Sequence, residues 1–114
     1  MAQDPTKSNR DPDLKNWGGI REAILKKKIK AHLNELKAYW YMPVPGGYGT
    51  QTVDFLCCLN GRFLGIETKS TGQKPTPRQM LSMQAIRNAG GIAFWCDSWD
   101  SYLEQMKAIA EAIR

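Results

Sequence analysis

One turn in the sequence brings two acidic residues and a lysine into a single arrangement. Asn60-Gly61 separates two runs of β-forming residues, and Asn-Gly favours a type I′ hairpin because both residues tolerate positive φ. Counting outward from that turn pairs Asp54 with Glu67. Lys69 projects to the same face as Glu67, because side chains alternate along a strand. On the opposite face we expect Val53, Phe55, Ile66 and Thr68.

Opposed carboxylates repel each other, and a divalent cation relieves that repulsion. Directly paired side chains have Cβ atoms about 4.5–5.5 Å apart. Two converging carboxylates, with positions left for water and a phosphate, are how proteins usually hold Mg²⁺. Lys69 would orient the attacking water or neutralise charge on the phosphate. Two alternatives to a metal site stay open: Lys69 alone pairs with the carboxylates in a structural cluster, or a β-bulge shifts the register so that they never meet.

The elements that position these residues follow from hydrophobic periodicity and helix punctuation. Apolar residues recur at three- and four-residue spacing after Gly19, which predicts an amphipathic helix. Thr76-Pro77-Arg78-Gln79 is typical of a helix start, with Thr76 as N-cap and Gln79 closing a capping box. The predicted elements are a helix over 19–37, strands over 38–44, 52–59 and 62–69, a helix over 77–89, a strand over 92–96 and a last helix capped by Ser98. This order, α-β-β-β-α-β with an extra C-terminal helix, predicts an α/β fold.

Size and cysteine content restrict the class of protein. The chain has 114 residues, of which 42% are hydrophobic, enough for one domain with a single core. Residues 1–16 are almost without apolar side chains, so we expect a disordered polar tail there and a single folded domain over 17–114. No run reaches the roughly 20 apolar residues of a membrane span, and the start is polar where a signal peptide would be apolar, so we expect a cytoplasmic protein. The three cysteines are odd in number and include an adjacent pair within apolar runs, so we expect neither a disulfide framework nor a zinc site.

The distribution of positive charge favours a polyanionic partner. Sixteen Lys and Arg against eleven Asp and Glu give a net charge of +5, and nine of the sixteen lie within residues 1–37. A phosphate backbone is the commonest target of such a cluster. The alternative is a solvated helix face, and charge by itself does not decide between the two.

One set of motifs occurs within this order of elements: Asp54, Glu67-Thr68-Lys69, Pro77-Arg78-Gln79 and the segment 89–93. Together they resemble the VRR-NUC family of the PD-(D/E)XK nuclease superfamily, whose small domains are frequent in bacteriophages. The similarity covers about residues 20–102. Two positions depart from the pattern: Val53 stands where the superfamily name has proline, and Gln51 stands where glycine is usual. Both bear on the shape of the loop more than on the metal-binding atoms.

The resemblance implies a PD-(D/E)XK restriction-endonuclease-like core and a deoxyribonuclease that depends on Mg²⁺ or Mn²⁺. It implies that Asp54 and Glu67 bind the metal and that the Thr68 carbonyl completes the metal shell. Lys69 is then the catalytic lysine. So small a domain has little surface for reading bases, so we expect selectivity for branched or junction DNA instead of a particular sequence.

Two further catalytic candidates each have a simpler alternative role. Gln79 matches a glutamine that recurs in the family, and its alternative is the capping box with Thr76. Many family members carry a glutamate on the first helix, and Glu22 is the candidate because it is in line with the apolar stripe, where an unpaired acid is costly. Its alternative is a favourable interaction with the dipole at the helix start.

The candidate DNA contacts are basic residues of the first helix and of the segment around the second helix start: Lys26, Lys27, Lys30, Lys74 and Arg78. Such contacts position DNA without reading its sequence. Four aromatic residues are candidates for stacking on bases, but aromatic-rich strands are usually part of a core: Tyr39, Trp40, Tyr41 and Trp95. Trp17, in the polar entry to the first helix, is the better candidate for an exposed aromatic residue. A homodimer would set two sites against two strands. The alternative function is a non-catalytic nucleic-acid-binding protein that keeps the nuclease fold.

Overall fold

A four-stranded sheet with helices on both faces forms the part of the chain that the computed structural model describes, residues 17–44 and 52–113. The elements are α1 (Trp17–Glu35), β1 (Tyr39–Tyr41), β2 (Phe55–Leu59), β3 (Arg62–Thr68), α2 (Pro77–Asn88), β4 (Ile92–Cys96) and α3 (Trp99–Ala112). This order confirms the predicted fold class. The predicted tail over 1–16 lies outside the described residues, as do the segment 45–51 and Arg114.

The sheet has the order β1-β2-β3-β4, antiparallel except for the parallel pair β3–β4, which α2 connects. The β2–β3 hairpin has the predicted register, with Leu59 opposite Arg62 and Phe55 opposite Ile66. Its turn residues Asn60 and Gly61 have φ of 51° and 80°, as a type I′ turn requires. No bulge interrupts the five pairs from Phe55–Ile66 to Leu59–Arg62, so the predicted register is confirmed over this part of the hairpin. The predicted pairing of Asp54 with Glu67 lies beyond it, because the chain bends at Asp54 and β2 begins only at Phe55.

The main core lies on the sheet face that α1 and α3 cover. Phe55, Leu64 and Ile66 project from the strands into this core. The helices contribute Leu25, Ile29, Leu33, Tyr102, Met106 and Ile109. Burying a side chain of this size stabilises the fold by about 1.5–3 kcal/mol. None of the helices in the described ranges combines the length and apolar character that crossing a bilayer needs.

The other face of the sheet is covered by α2 over β3 and β4. Val53, Met83 and Ala93 form a small second core there. The prediction that Val53 shares a face with Phe55 is wrong, because the chain bends at Asp54 and β2 begins only at Phe55. The two-residue alternation therefore does not extend back to Val53.

Gly65 lets α2 pack closely against β3. A Cβ atom on Gly65 would lie 2.6 Å from Cδ1 of Ile86 and 3.1 Å from Cγ2 of Val53. Both distances are shorter than van der Waals contact allows. The missing side chain therefore makes room for Ile86, which packs against this second core from α2.

Candidate active site

Four segments meet at the end of the hairpin that is far from the Asn60-Gly61 turn. β2 begins directly after Asp54, and β3 ends at Thr68, next to Lys69. Glu22 comes from the second turn of α1, and Gln79 comes from the first turn of α2. The five residues that the sequence nominates as catalytic fall into two groups of contacts: Asp54 and Glu22 meet at Thr68, and Glu67 and Lys69 meet at Gln79.

The carboxylate of Asp54 is anchored by the end of β3. Its Oδ2 accepts hydrogen bonds from the backbone N–H of Thr68, at 2.9 Å, and from the Thr68 hydroxyl, at 2.6 Å. The Nζ atom of Lys26 lies 3.9 Å from the other oxygen, Oδ1. One oxygen of Asp54 is therefore fixed by β3, and the other is directed toward a positive charge.

Glu67 is buried, with 2% of its surface exposed, and its two carboxylate oxygens differ. Oε2 accepts a hydrogen bond of 2.7 Å from Nε2 of Gln79. Oε1 is buried and makes no hydrogen bond with any described residue. Burial is the main reason that the pKa of Glu67 rises from 4.5 to about 7; the charge of Asp54 raises it further, and Lys69 and the nearby backbone N–H of Asp54 oppose the rise. A buried oxygen without a hydrogen bond destabilises the folded state, so binding of a proton or a cation at Oε1 would be favourable.

Gln79 connects the helix start to the carboxylates. Its Oε1 accepts a 2.8 Å hydrogen bond from the backbone N–H of Thr76, and Oγ1 of Thr76 accepts one of 3.2 Å from the backbone N–H of Gln79, which confirms the capping box. The same Oε1 accepts from Nζ of Lys69 at 3.4 Å, while Nε2 donates to Glu67. The two roles that the sequence left as alternatives are therefore compatible: one side chain caps α2 and contacts the site.

Glu22 reaches the end of β3 from α1. One carboxylate oxygen lies 3.4 Å from the Thr68 hydroxyl, whose single proton is donated over the shorter distance to Asp54. The other accepts a hydrogen bond of 3.5 Å from the Ser70 hydroxyl, and the carboxylate forms an ion pair of 3.2 Å with Lys26. The alternative role at the helix start is wrong, because α1 begins at Trp17 and its first turn holds no acidic residue. A dipole interaction falls off beyond that turn.

The basic residues predicted to contact DNA differ in their surroundings. Lys26 is half-buried and faces the carboxylates of Glu22 and Asp54. Lys30 is also half-buried, while Lys27, Lys74 and Arg78 are exposed. Lys26 is thus a cation of the site itself, a placement that the charge pattern of the helix did not predict.

The oxygen donors at this site fit a hard divalent cation. Among the described residues, Oδ1 of Asp54 has only the ammonium of Lys26 near it, and Oε1 of Glu67 has no hydrogen-bond partner. Mg²⁺ and Mn²⁺ prefer oxygen ligands, and Mg²⁺ is usually bound through one or two carboxylates, with water and substrate phosphate completing its shell. No cage of three or more His, Cys, Asp or Glu side chains occurs in the described ranges, so any cation here would rely on such outside ligands.

Comparison with known proteins bears on the whole architecture. A solved structure described as a VRR_NUC domain covers 76% of this chain and 95% of its own length, with a TM-score of 0.64 and 22% sequence identity. The chain has the fold of a VRR_NUC domain. This confirms the fold that the motifs implied. Scans against family models and curated proteins give no match.

Within this VRR_NUC fold, sequence reasoning missed the polar side chains that orient the acids. It gave Thr68 only a backbone role, whereas the Thr68 hydroxyl donates to Asp54. It did not consider Ser70, whose hydroxyl donates to Glu22. The available signal was the pattern of hydroxyl residues at every second position around Lys69, since alternation places Thr68 and Ser70 on the face opposite Glu67.

Proposed function

We propose that this protein is an endonuclease that hydrolyses phosphodiester bonds in DNA, with Mg²⁺ or Mn²⁺ as its cofactor. The observation that carries the proposal is the state of Glu67, whose buried carboxylate has one oxygen held by Gln79 and the other without a partner among the described residues. Such a half-satisfied acid destabilises a fold unless a cation or proton completes it. A protein that only binds nucleic acid has no need of it.

The metal would be held by Asp54 and Glu67, with the Thr68 carbonyl as a third ligand. When bound, it would lower the pKa of a water molecule and neutralise charge on the phosphate. The chain itself fixes the ligands: Thr68 orients Asp54, and Gln79 orients Glu67. Gln79 also accepts from the ammonium of Lys69, which keeps this positive charge where it would stabilise the developing charge on the phosphate.

Glu22 is the further acid of the proposed active site. It contacts the hydroxyls of Thr68 and Ser70 and pairs with Lys26. The ammonium of Lys26 lies between Glu22 and Asp54, at 3.2 Å and 3.9 Å, so Glu22 lies one residue away from a proposed metal ligand. Groups in this position usually orient ligands and raise their basicity.

The proposed DNA contacts lie on α1 and around the start of α2: Lys26, Lys27, Lys30, Lys74 and Arg78. Exposed lysines and arginines bind the phosphate backbone and fix the position of the duplex. Reading a base sequence needs a larger contact surface than this small domain offers. We therefore propose selectivity for branched or junction DNA. A homodimer would present two active sites to two strands. The free thiols of Cys57, Cys58 and Cys96 support a cytoplasmic location.

The test is cleavage of labelled linear, nicked, flapped and four-way-junction DNA with Mg²⁺ or Mn²⁺, and with EDTA. Glu67→Gln removes the charge and keeps the shape, and Glu104→Gln on the exposed surface of α3 is the matched control. We expect cutting that requires metal, is fastest on branched DNA, is lost in Glu67→Gln and is kept in Glu104→Gln. A sedimentation measurement at the same protein concentration tests the dimer.

Tight binding without cutting, for every substrate and both metals, would overturn the proposal in favour of the non-catalytic binding protein. Equal rates on linear and branched DNA would leave a nuclease but reject its selectivity. A monomeric mass together with undiminished junction cutting would reject the dimer.

A further inference from the structure

We propose that Tyr39, Tyr41 and Phe63, here called the aromatic surface, stack against unpaired bases of the nucleic acid whose backbone occupies the active site. This inference rests on the proposed function and names its substrate class more narrowly. The substrate would carry a single-stranded arm, end or unpaired stretch beside the phosphate that is cut.

The strand register places these aromatic side chains on one face of the sheet. Tyr39 pairs with Cys58, and Cys58 pairs with Phe63, so the three form a row across three strands. One step toward the active site, Tyr41 pairs with Leu56. The exposed fractions are 76% for Tyr39, 52% for Tyr41 and 46% for Phe63, and Cys58 is exposed as well.

The aromatic surface is open because α2 covers only part of this face. Residues of α2 pack over Gly65 and Ala93, on β3 and β4. No described helix packs over the same face of β1. Trp40, between the two tyrosines, points to the other side and packs against the main core. Strand alternation therefore explains why one aromatic residue of β1 is partly buried while its neighbours are exposed.

The aromatic surface begins beside the strand end that leads to Asp54, although α2 covers Gly65 between it and Glu67. Leu56, the partner of Tyr41, is also paired with Gly65, and Glu67 follows Gly65 by two residues on the same face. From strand spacing and rise, the backbone of Tyr41 lies roughly 8 Å from that of Asp54. A phosphate at the carboxylates would thus have its neighbouring nucleotides within reach of Tyr41 and then Tyr39.

The chemistry of this surface favours bases over another protein. The segments 37–44 and 55–63 contain no acidic residue, and their charged residues, Lys37 and Arg62, are both positive. Flat exposed aromatic rings on strands without acidic residues suit single-stranded nucleic acid, because every base has a face to stack. Arg62 lies on the opposite face of β3 from Phe63, so its charge favours a polyanion nearby without belonging to the aromatic row. Pairing of β1 with a second copy is the less favourable occupant, since β1 has three residues and offers few backbone hydrogen bonds.

The first experiment measures binding without cleavage, in EDTA, by fluorescence anisotropy. The ligands are an oligo-dT single strand, a blunt duplex and a fork with one dT arm. The variants are Tyr39→Ser/Tyr41→Ser, the conservative Tyr39→Phe/Tyr41→Phe, and the control Leu81→Ser, which alters an apolar residue 70% exposed on α2. We expect the serine variant to lose roughly tenfold or more in affinity for the single strand and the fork, with the duplex unchanged. The phenylalanine variant and the control should match the wild type.

The second experiment uses the unaltered protein and the thiol of Cys58, which lies inside the aromatic row. Cys57 and Cys96 are buried, and burial raises the pKa of both thiols to about 12, so a maleimide reacts first with Cys58. We expect the fork to slow modification of Cys58 several-fold. Blunt duplex, added to give the same bound fraction, should leave the rate unchanged.

Equal affinity of the serine variant and the wild type for the single strand would overturn the inference, as would Cys58 protection that is the same with duplex. A serine variant that weakens self-association in sedimentation, with DNA binding unchanged, would assign the surface to a second copy. The two proposals fail separately. If the protein cuts DNA but the serine variant binds single strands as tightly as the wild type, only this inference is rejected. If the protein binds the single-stranded arm through these residues but cuts no substrate, only the nuclease is rejected.

Discussion

Helices α2 and α3 both begin with a capping box, but the two capping boxes make different contacts. Thr76 and Gln79 form the capping box of α2, and Ser98 and Ser101 form that of α3. In α3 the Ser101 hydroxyl accepts from the backbone N–H of Ser98 at 3.2 Å and its other bonds stay within the same turn. That cap also holds Asp97, but none of its hydrogen bonds reaches the carboxylates of the candidate site.

In α2 the N3 residue is longer, and β3 ends beside it. The amide of Gln79 therefore satisfies the backbone of Thr76 and still reaches Glu67 and Lys69. The comparison shows that a capping motif does not tell which other residues the capping side chain contacts. What separates the two caps is the neighbouring strand.

The largest expected effect concerns how the free energy of unfolding depends on pH, through Glu67 at the start of α2. Glu67, held by α2, has a pKa of 4.5 when unfolded and about 7 when folded. Below pH 4.5 both states are protonated, and between pH 4.5 and 7 the folded state retains a proton that the unfolded state has lost. The free energy of unfolding of the metal-free protein therefore falls over this range, by up to about 3 kcal/mol. Urea unfolding in EDTA at pH 5, 6 and 8 measures it.

The Glu67→Gln variant supplies the control for this prediction. Its stability relative to the wild type should rise from pH 5 to pH 8, and Mn²⁺ at pH 8 should stabilise only the wild type. A constant difference between the two proteins across this range would contradict the buried, proton-binding state of Glu67.

Removing the N3 side chain from each cap tests the comparison directly. Gln79→Ala and Ser101→Ala should each lower the free energy of unfolding by about 1 kcal/mol, because each opens a capping box. Gln79→Ala should also lower cleavage or Mn²⁺ affinity by roughly 10–100-fold, the usual effect of losing a group that orients a metal ligand. Cleavage rates and isothermal titration with Mn²⁺ check it; the same loss in both variants would erase the distinction.

The Thr68 hydroxyl is the counterpart of Gln79 for the other carboxylate. Thr68→Val keeps the shape and removes the donor to Asp54, which should cost about 1–2 kcal/mol of stability and roughly tenfold in cleavage. Thr71→Val is the matched control, because it removes an exposed hydroxyl that donates to the Asp97 carbonyl and does not hydrogen-bond to the carboxylates of the site; it should leave cleavage unchanged. Thermal unfolding and single-turnover cleavage measure the two effects, and a silent Thr68→Val would show that the backbone N–H of Thr68 suffices.

The smallest effect is expected at Lys26. Lys26→Met removes the ammonium between Glu22 and Asp54, and we expect the metal-free protein to lose less than about 1 kcal/mol, because the pair is partly exposed and screened by solvent. Lys27→Met on the same helix should leave stability unchanged. Unfolding in EDTA at low and high salt measures the difference, which salt should reduce; an equal change in both variants would contradict it.

The sequence predicts most of the scaffold, because the relevant signals are local. The Asn60-Gly61 turn determines the hairpin register, and the Thr76 and Ser98 caps determine where two helices begin. The turn and the Thr76 cap also bring Glu67 and Gln79 to the same end of the sheet.

What the sequence does not predict depends on packing between distant segments. The outward exposure of Tyr39 and Tyr41 follows from how far α2 extends over the sheet, and the position of Lys26 follows from the rotation of α1 over β3. Val53 changes face because the chain bends at Asp54, outside the paired part of β2.

Gly65, under α2, makes the position of Gln79 sensitive to side-chain volume between α2 and β3. Gln79 and Ile86 belong to one stiff helix, about 10 Å apart along its axis. A methyl group on Gly65 would collide with Ile86, and any lift of the helix that relieved this collision would also draw Gln79 away from Glu67, across a hydrogen bond of 2.7 Å. Hydrogen bonds weaken over a few tenths of an ångström, so the distance between α2 and the sheet controls how well Gln79 holds the carboxylate of Glu67.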